Sequence, residues 1–554
     1  MTAARRPLDW IDGLFAVLLF GCAVWVRMRV LAVAQITPDC IGPYLGAWEM
    51  LTTGDWVGPS KFPESGPGLY WSYVPFLLGA DGLEAALTRR FVLQACHGPV
   101  IYLALRATLT RQWAGIGVSP GRLGPAIAGC ALAFSHGPLA SLLSGAEGFV
   151  SPDHGVVITV AALLVLLADR PGALLVGWAA LPIAMMTHGM AAAYGPGLLF
   201  LAALVWRRGH RRIALGSLVV GAVGYAPRAA QLVRKVLDEG VEGASQLAAY
   251  NSEGDRFWAE LVHRTSDHLL HRDGLPWGPL WGLTPLVILA AVWVAPRISP
   301  SSDLPRRVRD VCAWALLTLA GIVTVAWMIR YMQGYHWRVV YPAGAAAIGV
   351  GLDVLLRRIP RAAQAGAAAL VLGAGCSLGL ERWPTPEPTS TDLTLVGAFV
   401  DALEESGVEA LWVERGGIGW EPWGYAPALY LESRLRGDHR EYDLDGSLFL
   451  LFTAGLEAAE AIEATFGWAG QAPPLSTAPG TTLVARARPW NGPVVYLVRL
   501  DDRAASIAWH ARVLLLRGEE PVMMKAEAGE YLPALGQPFD YADVDAWFPS
   551  GLER

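Results

Sequence analysis

The sequence predicts a polytopic α-helical membrane protein with about eleven transmembrane helices, followed by a C-terminal extracytoplasmic α/β domain. The first observation behind this prediction is composition, since 53% of the 554 residues are hydrophobic and only 17% are charged. A soluble domain carries nearer a quarter charged residues. The second is a series of apolar stretches in residues 1–382, and the third is an abrupt change of charge at Trp383.

The change of charge divides the chain into two predicted domains. Residues 1–382 contain 31 Lys and Arg against 23 Asp and Glu, whereas residues 383–554 contain 12 against 26. The acidic second half argues against a nucleic-acid partner, because phosphate backbones bind to basic surfaces. All six cysteines lie in the apolar half without CxxC or Cys/His spacing, so neither a zinc site nor a disulfide framework is predicted.

The apolar stretches are long enough, or nearly long enough, to cross a bilayer, and each is bounded by charge, proline or glycine. The first keeps Arg27 and Arg29 near its far end and lacks a small-residue cleavage site, so it is a span and not a cleaved signal peptide. We place the spans at roughly 11–34, 91–109, 123–145, 155–168, 172–187, 189–206, 213–229, 276–296, 311–330, 339–356 and 363–381.

Arginine clusters orient these spans, because cytoplasmic loops are enriched in Lys and Arg. All clusters fall on one side if the N-terminus is cytoplasmic: Arg5 and Arg6; Arg111 and Arg122; Arg207, Arg208, Arg211 and Arg212; Arg306, Arg307 and Arg309; and Arg357, Arg358 and Arg361. We therefore predict a bacterial inner-membrane protein with residues 383–554 in the periplasm or outside the cell. The outer loops lie at about 35–90, 146–154, 230–275 and 330–338. The apolar segment 69–79 is assigned to the outer face, since an extra span would invert the later clusters.

The first outer loop contains a predicted amphipathic helix. Its apolar side chains recur at helical spacing, at Tyr44, Ala47, Trp48 and Leu51. Pro43 suits the first position of a helix and Gly54 suits its end. We expect this helix to lie in the membrane interface, anchored by its tryptophan.

Asp39 lies just upstream, at the mouth of the first span. A carboxylate at the depth of the lipid headgroups costs free energy and is usually kept for a function. Two interpretations remain open for Asp39: a catalytic group, or a side chain that hydrogen-bonds the free amides before the helix at Pro43.

Several motifs follow one another in this loop, namely Asp39, Tyr44, Met50-Leu51, Gly54-Asp55-Trp56 and Gly66-Pro67-Gly68-Leu69-Tyr70-Trp71. Their order resembles the first outer loop of the GT-C superfamily, and within it the protein O-mannosyltransferase and lipid A aminoarabinose transferase branch. Members share a signature acid after the first span, a juxtamembrane helix, a Gly-Asp-Trp turn and a Pro-rich entry to an apolar segment. The resemblance covers about 37–80 by motif and extends by hydropathy to 381. Cys40 stands where the branch has a second acid, and Gly66 where it has a lysine.

The resemblance implies a second acid near the second outer turn, where Asp153 and His154 match. Asp153 follows Pro152 and could equally cap the next helix at its N-terminus. Glu147, between Gly145 and Gly148, is a weaker candidate.

The segment 330–342 lies at the outer end of the ninth span and holds two arginines, one histidine and four aromatic residues. Guanidinium groups bind phosphate oxygens in a fork, so Arg330, His336 and Arg338 could clamp a lipid phosphate. The alternative is that the arginines only extend their head groups to the membrane surface beside an aromatic belt. As candidate site residues we take Asp39 and Asp153 for catalysis, and Tyr44, Asp55, His154, Arg330, His336 and Arg338 for substrate binding.

The third outer loop and the acidic half contain no recognisable catalytic constellation. His263, His268 and His271 do not form an i, i+4 ligand pair, so a mobile lid is favoured over a zinc site and no metal ligand is assigned. The glycine-rich stretch 416–419 lacks the lysine and helix of a phosphate-binding loop. An α/β unit is predicted from helices at 396–406 and 456–466 and strands at 408–413, 448–452, 494–500 and 511–516.

The resemblance implies an inverting glycosyltransferase that moves a sugar from a polyprenyl-phosphate donor to an acceptor glycan, lipid or protein on the outer face. Asp39 would be the base, and nearby cations would stabilise the phosphate leaving group. The donor is already activated, so neither ATP nor nicotinamide is expected, and a divalent metal stays open. The alternatives are a transporter or flippase of lipid-linked saccharides, although the internal repeats typical of transporters are not evident, and a non-catalytic envelope assembly protein.

Overall fold

The computed structural model describes most of the first 382 residues and part of the remainder. The described residues are 8–32, 38–57, 66–114, 121–135, 153–231, 233–234, 237, 257–267, 269, 275–298, 303–329, 334–382, 393, 396–397, 400–401, 410–413, 428, 431–432, 434–437, 448–466, 475–478, 481–487, 494–500, 523–525, 531–533 and 537–538. The predicted strand at 511–516 lies outside them.

The described part of residues 1–382 is helical. Its α-helices are α1 (Trp10–Ala32), α2 (Pro38–Thr53), α3 (Pro67–Trp71), α4 (Val74–Leu77), α5 (Leu83–Ala95), α6 (His97–Ala114), α7 (Leu123–Phe134), α8 (Asp153–Leu166), α9 (Ala173–Thr187), α10 (Tyr194–Arg207), α11 (Arg211–Gly224), α12 (Phe257–Asp267), α13 (Trp277–Gly282), α14 (Thr284–Ile298), α15 (Leu304–Ile329), α16 (Tyr341–Leu355) and α17 (Arg361–Arg382). Two 3₁₀ helices, Gly189–Ala193 and Gly334–Val340, precede α10 and α16.

Six helices are long and apolar enough to cross a membrane: Trp10–Ala32, Gly189–Arg207, Arg211–Gln231, Leu304–Met328, His336–Leu355 and Arg361–Arg382. Four shorter apolar helices accompany them, namely α7, α8, α9 and α14. Each of the eleven predicted spans overlaps one of these helices or α6. The chain is therefore a polytopic α-helical membrane protein, as predicted. The number of helices that cross the bilayer stays a prediction.

One end of the helix bundle, which we call the Asp12 end, is held by a buried ion pair. Asp12 is 1% exposed and accepts hydrogen bonds from Arg106 Nε at 2.8 Å, Arg122 Nε at 3.2 Å and the Tyr102 hydroxyl at 2.9 Å. A buried charge that loses its partner costs several kcal/mol. The contact therefore fixes α1 against α6 and against the start of α7.

A second ionic contact at the same end joins three other connections of the bundle. Asp169 accepts hydrogen bonds from Arg208 and from Arg307, each at 3.0 Å. Helix α6 contributes to the Asp12 contact through Tyr102 and Arg106. Gln112, near the end of α6, donates to the carbonyl of Leu167, two residues before Asp169. Arginines from three predicted cytoplasmic clusters thus share the Asp12 end, as the alternation of spans requires.

Helix α2 differs from the predicted juxtamembrane helix in where it begins. It starts at Pro38, so Asp39 lies in its first turn rather than upstream of it, and Pro43 lies inside the helix rather than at its start. Pro38 takes the early helical position that suits proline. Because Pro43 has no N–H, the carbonyl of Asp39 has no helical donor four residues later. The predicted end is confirmed, since Gly54 adopts a positive φ of 72° and donates to the carbonyl of Met50 at 3.0 Å.

The environment of α2 also differs from the prediction, because the protein covers most of its surface. Tyr44, Ala47 and Met50 are 0% exposed, whereas an interfacial helix would turn its apolar side to lipid. The helix packs on α3 and α4, and Gly46 meets the ring of Tyr70 so closely that a Cβ there would overlap it. The depth of this helix relative to the membrane stays a prediction. The apolar stripe was correctly identified, but its partners are protein side chains.

The described strands lie beyond residue 409 and are β1 (Ala410–Val413), β2 (Leu448–Ala454), β3 (Leu475–Ala478), β4 (Thr481–Ala487), β5 (Val494–Leu500), β6 (Met523–Lys525), β7 (Tyr531–Pro533) and β8 (Gln537–Pro538), with helix α18 (Leu456–Phe466). Six form a mixed sheet of order β3-β4-β5-β2-β1-β8, in which only the β1–β2 pairing is parallel, and β6 and β7 form a separate antiparallel pair. Three predicted strands and the predicted helix at 456–466 coincide with these elements.

Strand β5 is buried on both faces. The Tyr496 hydroxyl donates to Glu463 of α18 at 2.7 Å, which places α18 on one face. Leu497 points to the opposite face, as alternation along a strand requires, and belongs to the apolar cluster that also includes the core of the helix bundle. Val396, Ala428 and Leu431 join the same cluster. The acidic half therefore packs against the bundle through apolar contacts.

The arginine clusters generate a prediction of topology. A reporter that is active only outside the cytoplasm should be active when fused after Arg554 and silent when fused after His210, which lies between α10 and α11 at the arginine-rich end. Assays of the two fusions in intact cells check this. The reverse pattern would contradict the orientation of every outer loop.

The contact between α2 and α3 generates a prediction of stability. Gly46→Ala should lower the unfolding temperature in detergent, because overpacking costs about 1–3 kcal/mol and exceeds the gain in helix propensity of about 0.5–1 kcal/mol. Gly21→Ala in α1 is the matched control, since no atom lies within 4 Å of a Cβ at Gly21. Equal or higher stability of Gly46→Ala relative to Gly21→Ala would contradict the packing of α2 on Tyr70.

Candidate functional site

The opposite end of the bundle, which we call the Asp153 end, is built around the carboxylate of Asp153 at the start of α8. Gln94 Nε2 lies 3.0 Å from each carboxylate oxygen, and His97 Nε2 lies 3.0 Å from Oδ1. These donors favour the ionised form of the carboxyl group. The Asp153 side chain remains 33% exposed, so a ligand can approach a carboxylate that is already oriented.

The donors to Asp153 come from the junction of α5 and α6. Gln94 is one residue from the end of α5, and His97 is the first residue of α6. They are 3% and 8% exposed. Because α8 contributes the acceptor, these hydrogen bonds hold the second outer turn against the junction of α5 and α6.

Arg90 lies one turn before Gln94 and connects the carboxylate to the first outer loop. It is 2% exposed, its guanidinium carbon lies 4.4 Å from the ring centre of Tyr73, and its charge acts on Asp153. Tyr44 of α2 packs edge-on against Tyr73 at 4.7 Å between ring centres. Burial raises the pKa of both phenols, and the charge of Arg90 opposes that rise. Tyr44, a predicted substrate-binding residue, therefore lies in the wall of the site.

A second buried cation, Arg27, acts electrostatically on Asp153. Arg27 of α1 is 1% exposed, donates to the carbonyl of Ala133 at 3.1 Å, and interacts electrostatically with Asp153. Charges interact more strongly in a protein interior than in water. The two arginines thus place buried positive charge beside Asp153 at this end of the bundle.

His154, the other predicted residue of the second turn, contacts the first outer loop. Its Nε2 lies 3.1 Å from the hydroxyl of Ser72, which itself donates to the carbonyl of Gly68 at 2.7 Å. Asp153 therefore contacts the junction of α5 and α6, whereas His154 contacts the first outer loop. Asp153 is the first residue of α8, and its oxygens contact Gln94 and His97; its capping role and its catalytic role both stay predictions.

Two of the three residues predicted to clamp a lipid phosphate, His336 and Arg338, are among the described residues. His336 and Arg338 lie in the 3₁₀ helix Gly334–Val340 and are 2% and 0% exposed. The head group of Arg338 is therefore enclosed by protein, and the alternative that it extends to the membrane surface is wrong. The carbonyl of the next residue, Val339, accepts a hydrogen bond from the Tyr194 hydroxyl at 2.9 Å.

The 3₁₀ helix reaches the Asp153 end through α8. A Cβ at Gly155 would lie 2.9 Å from the carbonyl of Val339, so the first turn of α8 and the residue after Arg338 touch. The His336 ring also lies 5.1 Å from that of His188, at the end of α9. His336 and Arg338 therefore belong to the same end of the bundle as Asp153.

Three predicted site residues are not brought into this cluster. Asp55 is 44% exposed and pairs with Arg234 at 2.8 Å, so it ties the first outer loop to the start of the third. Arg330 lies outside the described residues, as do the weaker candidate Glu147 and His268 and His271 of the third loop. The backbone of Asp39 is placed in α2, but its side chain is not among those described.

Arg90, Gln94 and His97 were not predicted as site residues. Their spacing of four and then three residues puts all three on one face of a continuous helix, at the start of the predicted span 91–109. A polar stripe at the entrance to a span was a usable signal. It gave no prediction because Gln94 and His97 fall inside the predicted span 91–109.

The described residues contain no group of three or more His, Cys, Asp or Glu side chains suited to a metal ion. The side chain of Asp39 is outside that set, so metal dependence stays open. Within the described part, the site offers a carboxylate, a histidine and buried guanidinium groups. This set of groups suits binding of an anion and transfer of a proton.

Comparison with known proteins finds similarity in structure. ArnT from Cupriavidus metallidurans in the apo state matches with a TM-score of 0.49 at 16% identity, over 89% of this chain and 99% of that chain. ArnT from the same source bound to undecaprenyl phosphate matches with a TM-score of 0.44 at 16% identity, over 88% and 98%. ArnT is a GT-C glycosyltransferase of the branch that the first outer loop resembles. No protein-family model matches the sequence, and no curated protein matches it significantly. At this identity and these TM-scores, the likeness assigns no role to any residue of this chain.

Proposed function

We propose that this protein is a membrane glycosyltransferase that moves a sugar from a polyprenyl-phosphate donor to an acceptor at the Asp153 end of the bundle. The observation that carries the proposal is the Asp153 site, in which a partly exposed carboxylate is held by Gln94 and His97 beside the buried cations Arg90 and Arg27. Tyr44, one of the first-loop residues that resemble the GT-C superfamily, packs in the wall of this same site through Tyr73 and Arg90. Motif and charge cluster support one function independently.

The proposed reaction is a single displacement with inversion. The acceptor hydroxyl oxygen bonds to the anomeric carbon while the bond from that carbon to the phosphate oxygen breaks. The hydroxyl proton passes to a base, and the polyprenyl phosphate leaves with the electron pair. Because a hydroxyl is a poor nucleophile near neutral pH, a positioned base contributes roughly 10² to 10⁴ to the rate.

We assign the base to Asp39. It follows the first span directly and begins the helix whose buried face carries Tyr44. Because Pro43 cannot donate to the carbonyl of Asp39, the first turn of α2 is less constrained than the interior of a regular helix.

We assign a different role to Asp153, because both of its oxygens already accept hydrogen bonds. A carboxylate with these donors is a weaker base than one in water. Its negative charge instead stabilises the positive charge that develops on the sugar ring in an oxocarbenium-like transition state. It also orients His97 and Gln94 toward the reacting groups.

Cations stabilise the leaving group. As the glycosidic bond breaks, negative charge grows on the polyprenyl phosphate, and preorganised positive charge in an enclosed site lowers the barrier. Arg90 and Arg338 are the proposed sources of this charge, and both are held in place by burial. Arg330 and His336 are proposed to complete the donor-phosphate contacts, with Tyr44 and His154 shaping the walls around the substrates. Asp55 is proposed to act more remotely, by holding the first outer loop to the third through Arg234.

The proposed location follows from the lipid donor and the arginine-rich Asp12 end. The chain would lie in a bacterial inner membrane with the Asp153 end and the acidic half on the outer face. No ATP or nicotinamide is needed, since the phosphate ester carries its own activation. The donor sugar is not specified by the described side chains, and the acceptor class remains glycan, lipid or protein.

The base assignment generates a prediction for Asp39. Asp39→Asn keeps the size of the side chain and removes the base, so release of undecaprenyl phosphate should fall by about 100-fold or more at an unchanged protein level. The measurement is mass spectrometry of undecaprenyl phosphate released by purified protein. The donors are a panel of undecaprenyl-phosphate-linked hexoses, pentoses and aminopentoses, and a membrane extract supplies acceptors.

Asp81→Asn is the matched control for Asp39, since Asp81 is an exposed carboxylate of the same predicted outer loop and should leave the rate unchanged. Near-normal turnover of Asp39→Asn would remove Asp39 as the base. If the wild type binds the panel but releases no undecaprenyl phosphate, the flippase and assembly-protein alternatives are favoured over a transferase.

The role of Asp153 generates a prediction that separates chemistry from binding. Asp153→Asn should lower the turnover number by roughly 10²-fold, the range for loss of one preorganised electrostatic contact. Binding of undecaprenyl phosphate should stay the same or tighten, because a negative charge near the phosphate is removed. The measurement combines the release assay with native mass spectrometry of the lipid complex.

Asp169→Asn is its control, since Asp169 follows the other end of the same helix and pairs with Arg208 and Arg307. It should affect stability without this separation. A variant at Asp153 that loses binding and turnover in parallel would show that Asp153 only holds the fold together.

A further inference from the structure

The acidic half makes a polar contact with the helix bundle at the start of α5. Glu432, which is 6% exposed, accepts a hydrogen bond from the backbone N–H of Leu83 at 2.5 Å. Leu83 is the first residue of α5, and Gly82 before it provides no side-chain cap. The first amides of a helix lack partners within the helix. A residue about 350 positions away in the chain therefore supplies the cap that α5 lacks.

The capping carboxylate is held by its own half of the protein. Arg436 Nε donates to Glu432 Oε1 at 2.7 Å, and another nitrogen of Arg436 donates to Asp401 at 2.7 Å. Glu432 thus has one oxygen directed at α5 and one fixed by Arg436. A negative charge at a helix N-terminus is also favoured by the helix dipole.

The approach of Glu432 to α5 depends on a glycine. A Cβ at Gly82 would lie 3.1 Å from Glu432 Oε1, tighter than an ordinary contact. Gly82 has a φ of 169°, an extended conformation open to any residue. Space for the carboxylate, rather than backbone conformation, therefore explains the absence of a side chain at position 82.

Helix α5 connects this contact to the Asp153 site. Arg90 and Gln94 follow Leu83 by seven and eleven residues, which is about 10 and 16 Å along a helix axis. Both side chains are buried, and both act on Asp153. A shift or fraying of the capped end would therefore change the placement of the groups that hold the carboxylate.

We infer that Glu432 is a positioning residue, through which the acidic half fixes α5 and thereby sets Arg90 and Gln94 against Asp153. The inference rests on the proposed function for its catalytic consequence. The contact itself does not depend on that function. It assigns the acidic half a part in organising the site in addition to its apolar packing.

The test compares Glu432→Ala and Glu432→Gln in the full-length protein. In Glu432→Ala, hydrogen exchange of the amides at 83–86 should rise about fivefold, as expected for loss of a helix cap, with a smaller rise at 90–97. The turnover number for release of undecaprenyl phosphate should fall, while binding of undecaprenyl phosphate is retained. Glu432→Gln keeps an acceptor oxygen and should recover most of both changes.

The matched control is Glu463→Gln. Glu463 is a similarly buried carboxylate of the acidic half, 9% exposed, and its partners Tyr496 and Arg486 lie in the same half. This variant should loosen the sheet and leave exchange at 83–97 unchanged.

The outcomes separate the contact from the chemistry. Unchanged exchange at 83–86 in Glu432→Ala would overturn the inference. Raised exchange with unchanged turnover would overturn the link to the site and leave the proposed function standing. If the wild type shows no turnover, the proposed function fails, and exchange at 90–97 still decides whether Glu432 positions α5.

Discussion

The structure depends on matching buried charges, because an ionised group in a protein interior is tolerated only when a partner offsets the loss of water. Both ends of the bundle follow this rule. Asp12 is enclosed by Arg106 and Arg122, and Asp153 is enclosed by His97 with two arginines in electrostatic range. Each set draws its members from different helices. The charges therefore fix the relative positions of helices that a uniform apolar surface would leave free to slide.

The same pairing of opposite charges determines the electrostatics of the Asp153 site. The first outer loop does not cover the site as a detached flap, since Tyr44, Tyr70 and Tyr73 are packed into the protein and form its wall. Aromatic and cationic side chains surround the carboxylate of Asp153. Their packing fixes the positions of the positive and negative charges before any ligand binds. Preorganisation of this kind lowers the cost of charge movement during a reaction. It also explains why groups from four segments of the chain must be in place before the site exists.

The sequence predicted features that depend on local patterns and failed where distant contacts decide. The spans, the end of α2 at Gly54 and the strand at 494–500 follow from hydropathy, backbone freedom and alternation, which are properties of a few neighbouring residues. The start of α2 was placed at Pro43 because proline favours a first turn, yet Pro38 met the same condition five residues earlier. The burial of α2 and of Arg338 could not be read from a helical period, which identifies an apolar face without naming what covers it. Asp39 and Arg330 remain predictions.

The ionic contact at Asp12 fixes one end of α1, so a small change of helix angle there becomes a larger displacement at the other end. Asp12 lies near the first residue of a helix of 23 residues, about 34 Å long at 1.5 Å per residue, and the segment leading to Asp39 lies at the far end. A rotation of about 3° around Asp12 displaces the last residue of α1, about 30 Å away, by about 1.6 Å. Misplacements of about 1 Å near reacting atoms can change rates about 100-fold. If the proposed function holds, substitutions at the arginine-rich end, remote from the proposed substrates, would therefore alter catalysis by tilting one helix.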